Sequence, residues 1–150
     1  MRLEDVMTRR VETITEDRAA EEAWDRMRAR RIHHLVVVRG GRVVGILSER
    51  DLGGRAGAAV RPGRTVADLM TPHAVIADPR APVRRAANLL RGRSIGCLPV
   101  VEGERLLGIV TLTDLLRLIG RGVERPIERT QRRPVRRQAI LRRRDLRALR

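Results

Sequence analysis

The chain has 150 residues and a formal net charge of +15, and 42% of its residues are hydrophobic. This apolar content suits a globular protein, but Trp24 is the only aromatic residue, so the core has to be aliphatic. The single cysteine, Cys97, excludes an intrachain disulfide framework. The sequence has no apolar run of the roughly 20 residues that a membrane-spanning helix needs and no signal peptide, so we expect a cytoplasmic protein.

Three blocks of the sequence occur twice, and the offset between the copies is 63 residues each time. The paired blocks are 5–8 and 68–71, 31–38 and 94–101, and 45–52 and 108–115. A constant offset over three separated blocks indicates a duplicated structural unit. Since a unit of about 60 residues is only marginally able to bury a core of its own, we expect the two halves to share one.

Each unit opens with an extended segment followed by a helix. The segments 11–15 and 74–77 are predicted to be short strands. In the helices that follow, apolar residues recur at i, i+3, i+4 and i+7, which places them on one face. These residues are Ala20, Ala23, Trp24 and Met27 in the first unit, and Val83, Ala86, Ala87 and Leu90 in the second. We therefore expect Trp24 to be a packing or interface residue.

Each unit closes with two strands and a second helix. The runs 35–38 and 98–101 are continuously apolar, as is typical of strands buried on both faces. Glycine-containing turns connect them to second strands at 43–47 and 106–110. A second helix is predicted to begin at Ser48 and again at Thr111. The fold class is therefore mixed α/β (α+β), with two β-α-β-β-α repeats.

The boundaries between the units follow from composition. Residues 53–64 are rich in glycine and proline and are typical of a linker. We predict a first repeat at 1–60, with the linker beginning near residue 53, and a second repeat at 61–119. The repeat pattern stops after Gly120, so residues 120–150 are predicted to form an arginine-rich extension.

Three motifs occur in the same order in both halves. They are an opening Val/Leu-Met-Thr, a strand Ile-x-x-Leu-x-Val-Val, and a closing Gly-Ile-x-Ser/Thr-x-x-Asp-Leu. In these motifs the chain resembles a tandem pair of CBS domains, also called a Bateman module, over roughly residues 3–119. The resemblance implies two units related by a pseudo-twofold axis, with two clefts between them. It also implies a regulatory adenosyl ligand, such as AMP, ADP, ATP or S-adenosylmethionine, with no metal required.

The residues that begin each second helix have two compatible interpretations. Ser48 with Asp51, and Thr111 with Asp114, have the spacing of a capping box, which satisfies free backbone N–H groups. The same helix N-terminus favours phosphate, and a carboxylate in its first turn can accept hydrogen bonds from both ribose hydroxyls. The resemblance favours the binding interpretation, with Asp51 and Asp114 each holding a ribose.

The resemblance implies that each cleft draws on both repeats. For the Asp51 cleft the predicted residues are Ser48, Arg50, His33, His34, Ile46, Thr71, Ile76, Ile95 and Gly96. For the Asp114 cleft they are Thr111, Thr113, Ile109, Thr8, Thr13, Ile32 and His33. The aliphatic members of both sets are equally compatible with plain core packing.

The two clefts are predicted to differ in charge. His33, His34 and Arg50 would form a polyphosphate end near Asp51, whereas the second repeat has Gly96, Cys97 and Thr113 at the matching positions. Because neighbouring residues on a strand point to opposite faces, His33 and His34 are not expected to form a metal site together. Cys97 lies beside a buried strand and is expected to be a small core residue.

No sequence motif indicates catalysis. The chain lacks a Walker loop, a Cys-x-x-Cys pair and a Gly-x-Ser-x-Gly motif, so we expect it not to be an enzyme. The resemblance instead implies a sensor that transmits ligand occupancy to a protein target, and a homodimer, because modules of this family commonly pair.

Much of the positive charge lies in the C-terminal extension. Residues 1–119 contain 21 arginines and 15 acidic residues, whereas residues 120–150 contain 12 arginines and three acidic residues. A helix is possible at 135–149. The extension is compatible with a solvated tail, with electrostatic binding of nucleic acid, and with an acidic partner or an anionic membrane. The alternative function is therefore a nucleic-acid- or partner-binding protein that uses the repeats as a dimerisation scaffold.

Overall fold

The computed structural model describes residues 1–121, and the possible helix at 135–149 lies outside this part of the chain. The elements in chain order are α1 (Leu3–Val6), β1 (Thr13–Thr15), α2 (Ala20–Arg30), β2 (His34–Arg39), β3 (Arg42–Ser48), α3 (Val66–Leu69), β4 (Thr71–Pro72), α4 (Val83–Arg93), β5 (Cys97–Glu102), β6 (Arg105–Thr111) and α5 (Leu112–Gly120). A 3₁₀ helix at Gly54–Ala59 separates β3 from α3. The mixed α/β fold class is confirmed, and a helix followed by two antiparallel strands occurs in both repeats.

Two sheets carry the strands. The first has the order β1-β2-β3-β4, with β1 parallel to β2 and the other pairs antiparallel. The second contains the antiparallel pair β5-β6. Single-residue bridges extend this second sheet at both edges, from Ala77 to Val100 and from Thr8 to Ile109. The second sheet therefore repeats the first in a shorter form.

The two repeats exchange the segments that precede their first strands. Thr71, from the second repeat, pairs with Ile46 in the sheet of the first repeat. Thr8, from the first repeat, pairs with Ile109 in the sheet of the second, through hydrogen bonds of 2.9 and 3.0 Å between their backbone groups. Both contacts join residues at the same positions of the repeat unit, so the two halves are related by a pseudo-twofold axis.

The exchanged segments also enter the cores. Leu3 and Met7 are buried in the core of the second repeat, and Val66 is buried in the core of the first, with Met70 packed against it. A third buried cluster, centred on Val36, Cys97 and Ile109, lies between the repeats. Neither repeat completes its core alone, which is the shared core expected from their size.

Two glycines, in β3 and β6, allow the exchanged segments to lie close to these strands. A Cβ at Gly45 would lie 2.7 Å from the Thr71 carbonyl oxygen, and one at Gly108 would lie 3.0 Å from the Thr8 carbonyl oxygen and 2.6 Å from Met7 Sδ. Any larger residue here would press against the neighbouring strand. The glycine of each Gly-Ile pair thus leaves room for the close packing between the repeats.

The helix predicted to begin at Ser48 is wrong. Residues 49–53 form turns, and the 3₁₀ helix Gly54–Ala59 follows. Gly53 and Gly54 both have positive φ, 81° and 57°, which a right-handed helix cannot accommodate. In the second repeat the predicted helix forms, as α5, with Thr111 as its N-cap.

The segment predicted as a linker packs against the first repeat. Arg61 is only 6% exposed, and its guanidinium lies 4.2 Å from the centre of the Trp24 ring. Its NH1 group donates hydrogen bonds of 3.0 Å to the carbonyls of Leu52 and Gly54. Arg61 thus ties residues 52–54 to α2, and Trp24 is buried as expected, at 7% exposed.

The strand predicted at 74–77 is reduced to one residue. Ala77 donates to the Pro99 carbonyl and accepts from the Val101 amide, each at 2.9 Å. Pro79 follows two residues later, and its lack of an N–H group prevents the ladder from continuing. The strand predicted at 11–15 is similarly shortened to Thr13–Thr15.

Candidate functional site

One candidate corner lies where β6 meets α5. The Asp114 carboxylate accepts hydrogen bonds from the Thr111 amide at 2.8 Å and from the Thr111 hydroxyl at 2.9 Å, both through Oδ2. The Thr111 hydroxyl in turn accepts from the Asp114 amide at 3.2 Å. The capping box is therefore present, and it fixes the direction of the carboxylate.

This corner reaches across to the other repeat. Oδ1 of Asp114 accepts a hydrogen bond of 3.2 Å from the hydroxyl of Thr8. The backbone of Thr8 is already paired with Ile109. The structure thus brings together Thr8, Ile109, Thr111 and Asp114, four residues predicted for the same cleft.

The equivalent corner of the first repeat has the same geometry without a helix. Oδ2 of Asp51 accepts from the Ser48 amide at 2.8 Å, and the Ser48 hydroxyl accepts from the Asp51 amide at 3.1 Å. Thr71, which corresponds to Thr8, is exposed and donates no hydrogen bond to Asp51. Within residues 1–121, Oδ1 of Asp51 therefore has no protein donor, in contrast to Oδ1 of Asp114.

The Asp51 corner also faces the second repeat. The imidazole Nε2 of His34 lies 2.7 Å from the position that a Cβ would take at Gly96. Burial, followed by the neighbouring His33, lowers the pKa of His34, while the negative charge of Asp51 opposes that shift. Near neutral pH, His34 is therefore uncharged where it meets the second repeat.

Cys97 stands at the position of the second repeat that corresponds to His34. Burial raises the pKa of its thiol to about 12, with a smaller contribution from the charge of Asp51. The thiol is protonated and buried near neutral pH, as expected for a core residue.

His33 contacts Glu49, which belongs to the same repeat. Its Nδ1 lies 2.6 Å from Oε2 of Glu49, and the side chain is exposed. Both residues line a cavity of about 210 Å³ that also includes Trp24 and Ile32. Glu49 was not among the residues predicted from the sequence, because its pairing with His33 joins positions 16 residues apart and leaves no local signal.

The other predicted residues are spread more widely. Thr13 lies in β1, where its carbonyl accepts a hydrogen bond from Arg26, and Ile32 packs on the core of the first repeat. Ile95 packs on the core of the second repeat. Arg50, Ile76 and Thr113 are exposed. The roles assigned to this group in ligand binding stay predictions.

Among residues 1–121, no group of three or more His, Cys, Asp or Glu side chains is arranged to hold a metal ion. None of the helices found there has the length and apolar content to cross a bilayer.

The chain is similar to proteins that contain paired CBS domains. The CBS domain family model matches residues 3–52 and 66–121. CBS domain-containing protein YhcV of Bacillus subtilis is 32% identical over 114 residues, which are 75% of this chain and 81% of that protein. Homoserine O-acetyltransferase of Methanococcoides burtonii is 36% identical over 118 residues, but the match spans only 24% of that enzyme.

Solved structures show the same similarity. The CBS domain pair of protein MJ0100, in complex with 5′-methylthioadenosine and S-adenosyl-L-methionine, superposes with a TM-score of 0.74 at 28% identity and covers 81% of this chain and 98% of its own. The CBS-domain containing protein ATU1752 of Agrobacterium tumefaciens gives a TM-score of 0.71 at 28% identity, over 79% of this chain and 99% of its own. Together with the family match in both halves, these similarities show that the chain belongs to the CBS domain family and carries two copies of the domain in tandem.

Proposed function

We propose that the chain is a regulatory module that binds an adenosyl ligand between its two repeats and transmits occupancy to a protein target. The observation that carries this proposal is the position of two carboxylates, Asp51 and Asp114, at equivalent corners that both face the opposite repeat. The ligands bound by the CBS pair of MJ0100 support an adenosyl compound. AMP, ADP, ATP and S-adenosylmethionine are the candidates.

The chemistry of each corner suits a ribose. A carboxylate held in place by backbone amides can accept two hydrogen bonds from vicinal hydroxyls. Asp51 has an oxygen available for this, whereas Asp114 already accepts from Thr8. A ligand at Asp114 would therefore compete with the Thr8 hydroxyl, and the Asp51 cleft is the more open of the two.

The two clefts also differ in the charge of the residue that precedes each carboxylate. Arg50 is exposed beside Asp51 and makes no ion pair with residues 1–121, so its guanidinium is available to a phosphate. Thr113 occupies the corresponding position beside Asp114. We therefore assign the polyphosphate preference to the Asp51 cleft.

Titration calorimetry with AMP, ATP and S-adenosylmethionine tests the proposal. We expect Asp51→Asn to weaken ATP binding by about tenfold or more, because two hydrogen bonds to a charged acceptor become weaker neutral ones. Asp114→Asn should weaken the second site. Asp68→Asn is the matched control, because Asp68 is an exposed acid that makes the same 2.8 Å capping bond to a backbone amide.

The outcomes separate the two parts of the proposal. If none of the three ligands produces heat with the wild-type chain at high protein concentration, the adenosyl function is wrong. If ligands bind but the double variant Asp51→Asn with Asp114→Asn binds equally well, the function holds and the ribose role of these carboxylates is wrong.

We also propose that the functional unit is a homodimer that uses the outer face of α5. Leu112, Leu116 and Ile119 lie on one side of this helix and are 51%, 65% and 56% exposed. Three large apolar side chains at helical spacing on one exposed face are typical of an interface.

Substitution of the central residue tests the dimer. Leu116→Arg should shift the chain from dimer to monomer in sedimentation velocity, because two buried guanidinium groups would face each other across the twofold interface. Val60→Arg is the control, since Val60 is also exposed and apolar but lies on the other repeat. A wild-type monomer at high concentration, or a Leu116→Arg variant that remains dimeric, would contradict the proposed interface.

A further inference from the structure

The outer face of α4 is strongly cationic. Arg84, Arg85, Arg91 and Arg93 are all exposed, and the helix contains no acidic residue. None of these four guanidinium groups forms an ion pair with any residue in 1–121, although nine ion pairs occur elsewhere in that range. The positive charge of this surface is therefore not neutralised by carboxylates of residues 1–121.

Two of these four arginines have acidic counterparts in the equivalent helix of the first repeat. At the offset of 63 residues, Glu21 and Glu22 stand where α4 has Arg84 and Arg85, and an aspartate stands where it has Asn88. In α2 the charges are paired locally, for example between Glu22 and Arg26 at 2.9 Å. The high arginine content of the chain therefore does not explain Arg84 and Arg85, because these two positions are acidic in the first repeat, whereas the positions of Arg91 and Arg93 are arginine in both repeats.

The geometry of the face suits an extended anion. Arg84, Asn88 and Arg91 follow one another at i, i+4 and i+7 on a single stripe, and Arg84 and Arg91 are separated by about 10 Å along the axis. A Cβ at Gly92 would meet nothing within 4 Å, so the surface beside Arg91 is open. Ala86 and Leu90, on the opposite side, anchor the helix in the core.

We propose that this face of α4 is a docking surface for the phosphate backbone of double-stranded nucleic acid. The stripe carries no apolar side chain that could insert into a bilayer, which argues against a membrane. Single strands are normally held by aromatic stacking, and the only aromatic residue, Trp24, is buried. Binding would therefore be electrostatic and independent of sequence.

The C-terminal extension follows α5 in the sequence. α5 contacts α4, and the arginine-rich residues 120–150 continue directly from its C-terminal end. A basic segment covalently joined to a domain with a cationic surface raises the effective concentration of each for the same polyanion. The proposal places the folded second repeat, in addition to the extension, in contact with phosphate.

Fluorescence anisotropy of the full chain with labelled DNA and RNA duplexes tests this surface. The test variant replaces Arg84, Arg85, Arg91 and Arg93 with glutamine. The control variant replaces Arg9, Arg10, Arg28 and Arg30 with glutamine, and so removes the same charge from exposed positions of the first repeat. Unchanged thermal melting of the test variant would show that its fold is retained.

We expect the test variant to bind at least about tenfold more weakly near 100 mM salt, with the slope of log affinity against log salt reduced by about 2 or more. The control should change affinity less than about threefold, and comparison of DNA with RNA identifies the natural duplex. Equal losses in both variants, an unchanged test variant, or a wild-type chain that binds anionic vesicles and no duplex would each overturn the proposal. None of these outcomes depends on the adenosyl site.

Discussion

Arg61→Met is expected to lower the free energy of unfolding by about 3 kcal/mol. The substitution keeps most of the side-chain volume but removes both hydrogen bonds to the carbonyls of Leu52 and Gly54. Buried acceptors left without a partner cost about 1–3 kcal/mol each, and the stacking of the guanidinium on Trp24 is lost as well. Urea denaturation, followed by circular dichroism, measures the change.

The loss should be local in origin. Amide hydrogen exchange is expected to speed up first in residues 52–60, because Arg61 holds this segment where the second repeat has a regular helix. Arg26→Met is the matched control, since Arg26 donates at 2.7 Å to the Thr13 carbonyl but is only partly buried. We expect a loss of about 1 kcal/mol there. Equal losses for the two variants, or unchanged exchange in 52–60, would contradict the role given to Arg61.

Gly45→Ala is expected to destabilise the protein by about 2 kcal/mol, because the added methyl group would lie 2.7 Å from a backbone oxygen of β4. The strand has to move for the methyl group to fit. Gly108→Ala should cost less, since its closest neighbour is the flexible side chain of Met7. A larger loss of stability for Gly45→Ala would show that a rigid backbone neighbour is more costly to displace than a flexible side chain.

Thermal denaturation of the two glycine variants provides the measurement, with Gly92→Ala as control. Gly92 lies in α4 with open space around its Cα, so alanine there should raise stability slightly through its better helix propensity. If Gly45→Ala melts at the wild-type temperature, the close approach of the exchanged strand is not a constraint on the fold.

The exchange of segments gives the proposed ligand a means of acting at a distance. Thr8 belongs to the first repeat, yet its hydroxyl contacts Asp114 and its backbone contacts Ile109 of the second. A molecule that replaces the Thr8 hydroxyl at Asp114 changes a contact between repeats as well as filling a cleft. It shifts the arrangement of the repeats only by its difference in affinity for the two arrangements.

Much of the site could be predicted because its signals are local. The capping spacing of Thr111 and Asp114 is contained in four residues, and it appears in the structure as three hydrogen bonds. Ser48 and Asp51 form two of the three corresponding bonds even though the expected helix is missing. A motif that depends on short-range backbone geometry survives when the following element changes.

Contacts between distant residues left no such signal. The bond from Thr8 to Asp114 spans 106 positions, and the pairing of His33 with Glu49 joins the bend before β2 to the turn after β3. The difference between the two carboxylates, one with a donor on Oδ1 and one without, depends on where a side chain of the other repeat lies. Spacing alone predicts the same environment for both.

By itself the sequence determined the duplication, the helix and two strands at the centre of each repeat, the aliphatic core and the positions of the two capping carboxylates, because these signals lie in short stretches of chain. Tertiary structure alone decided that the repeats exchange Leu3 and Val66 into each other's cores, that Arg61 is buried, and that the arginines of α4 form no ion pair with residues 1–121. These features depend on which surfaces meet after folding. Two repeats with nearly the same local pattern can therefore differ in what they bind.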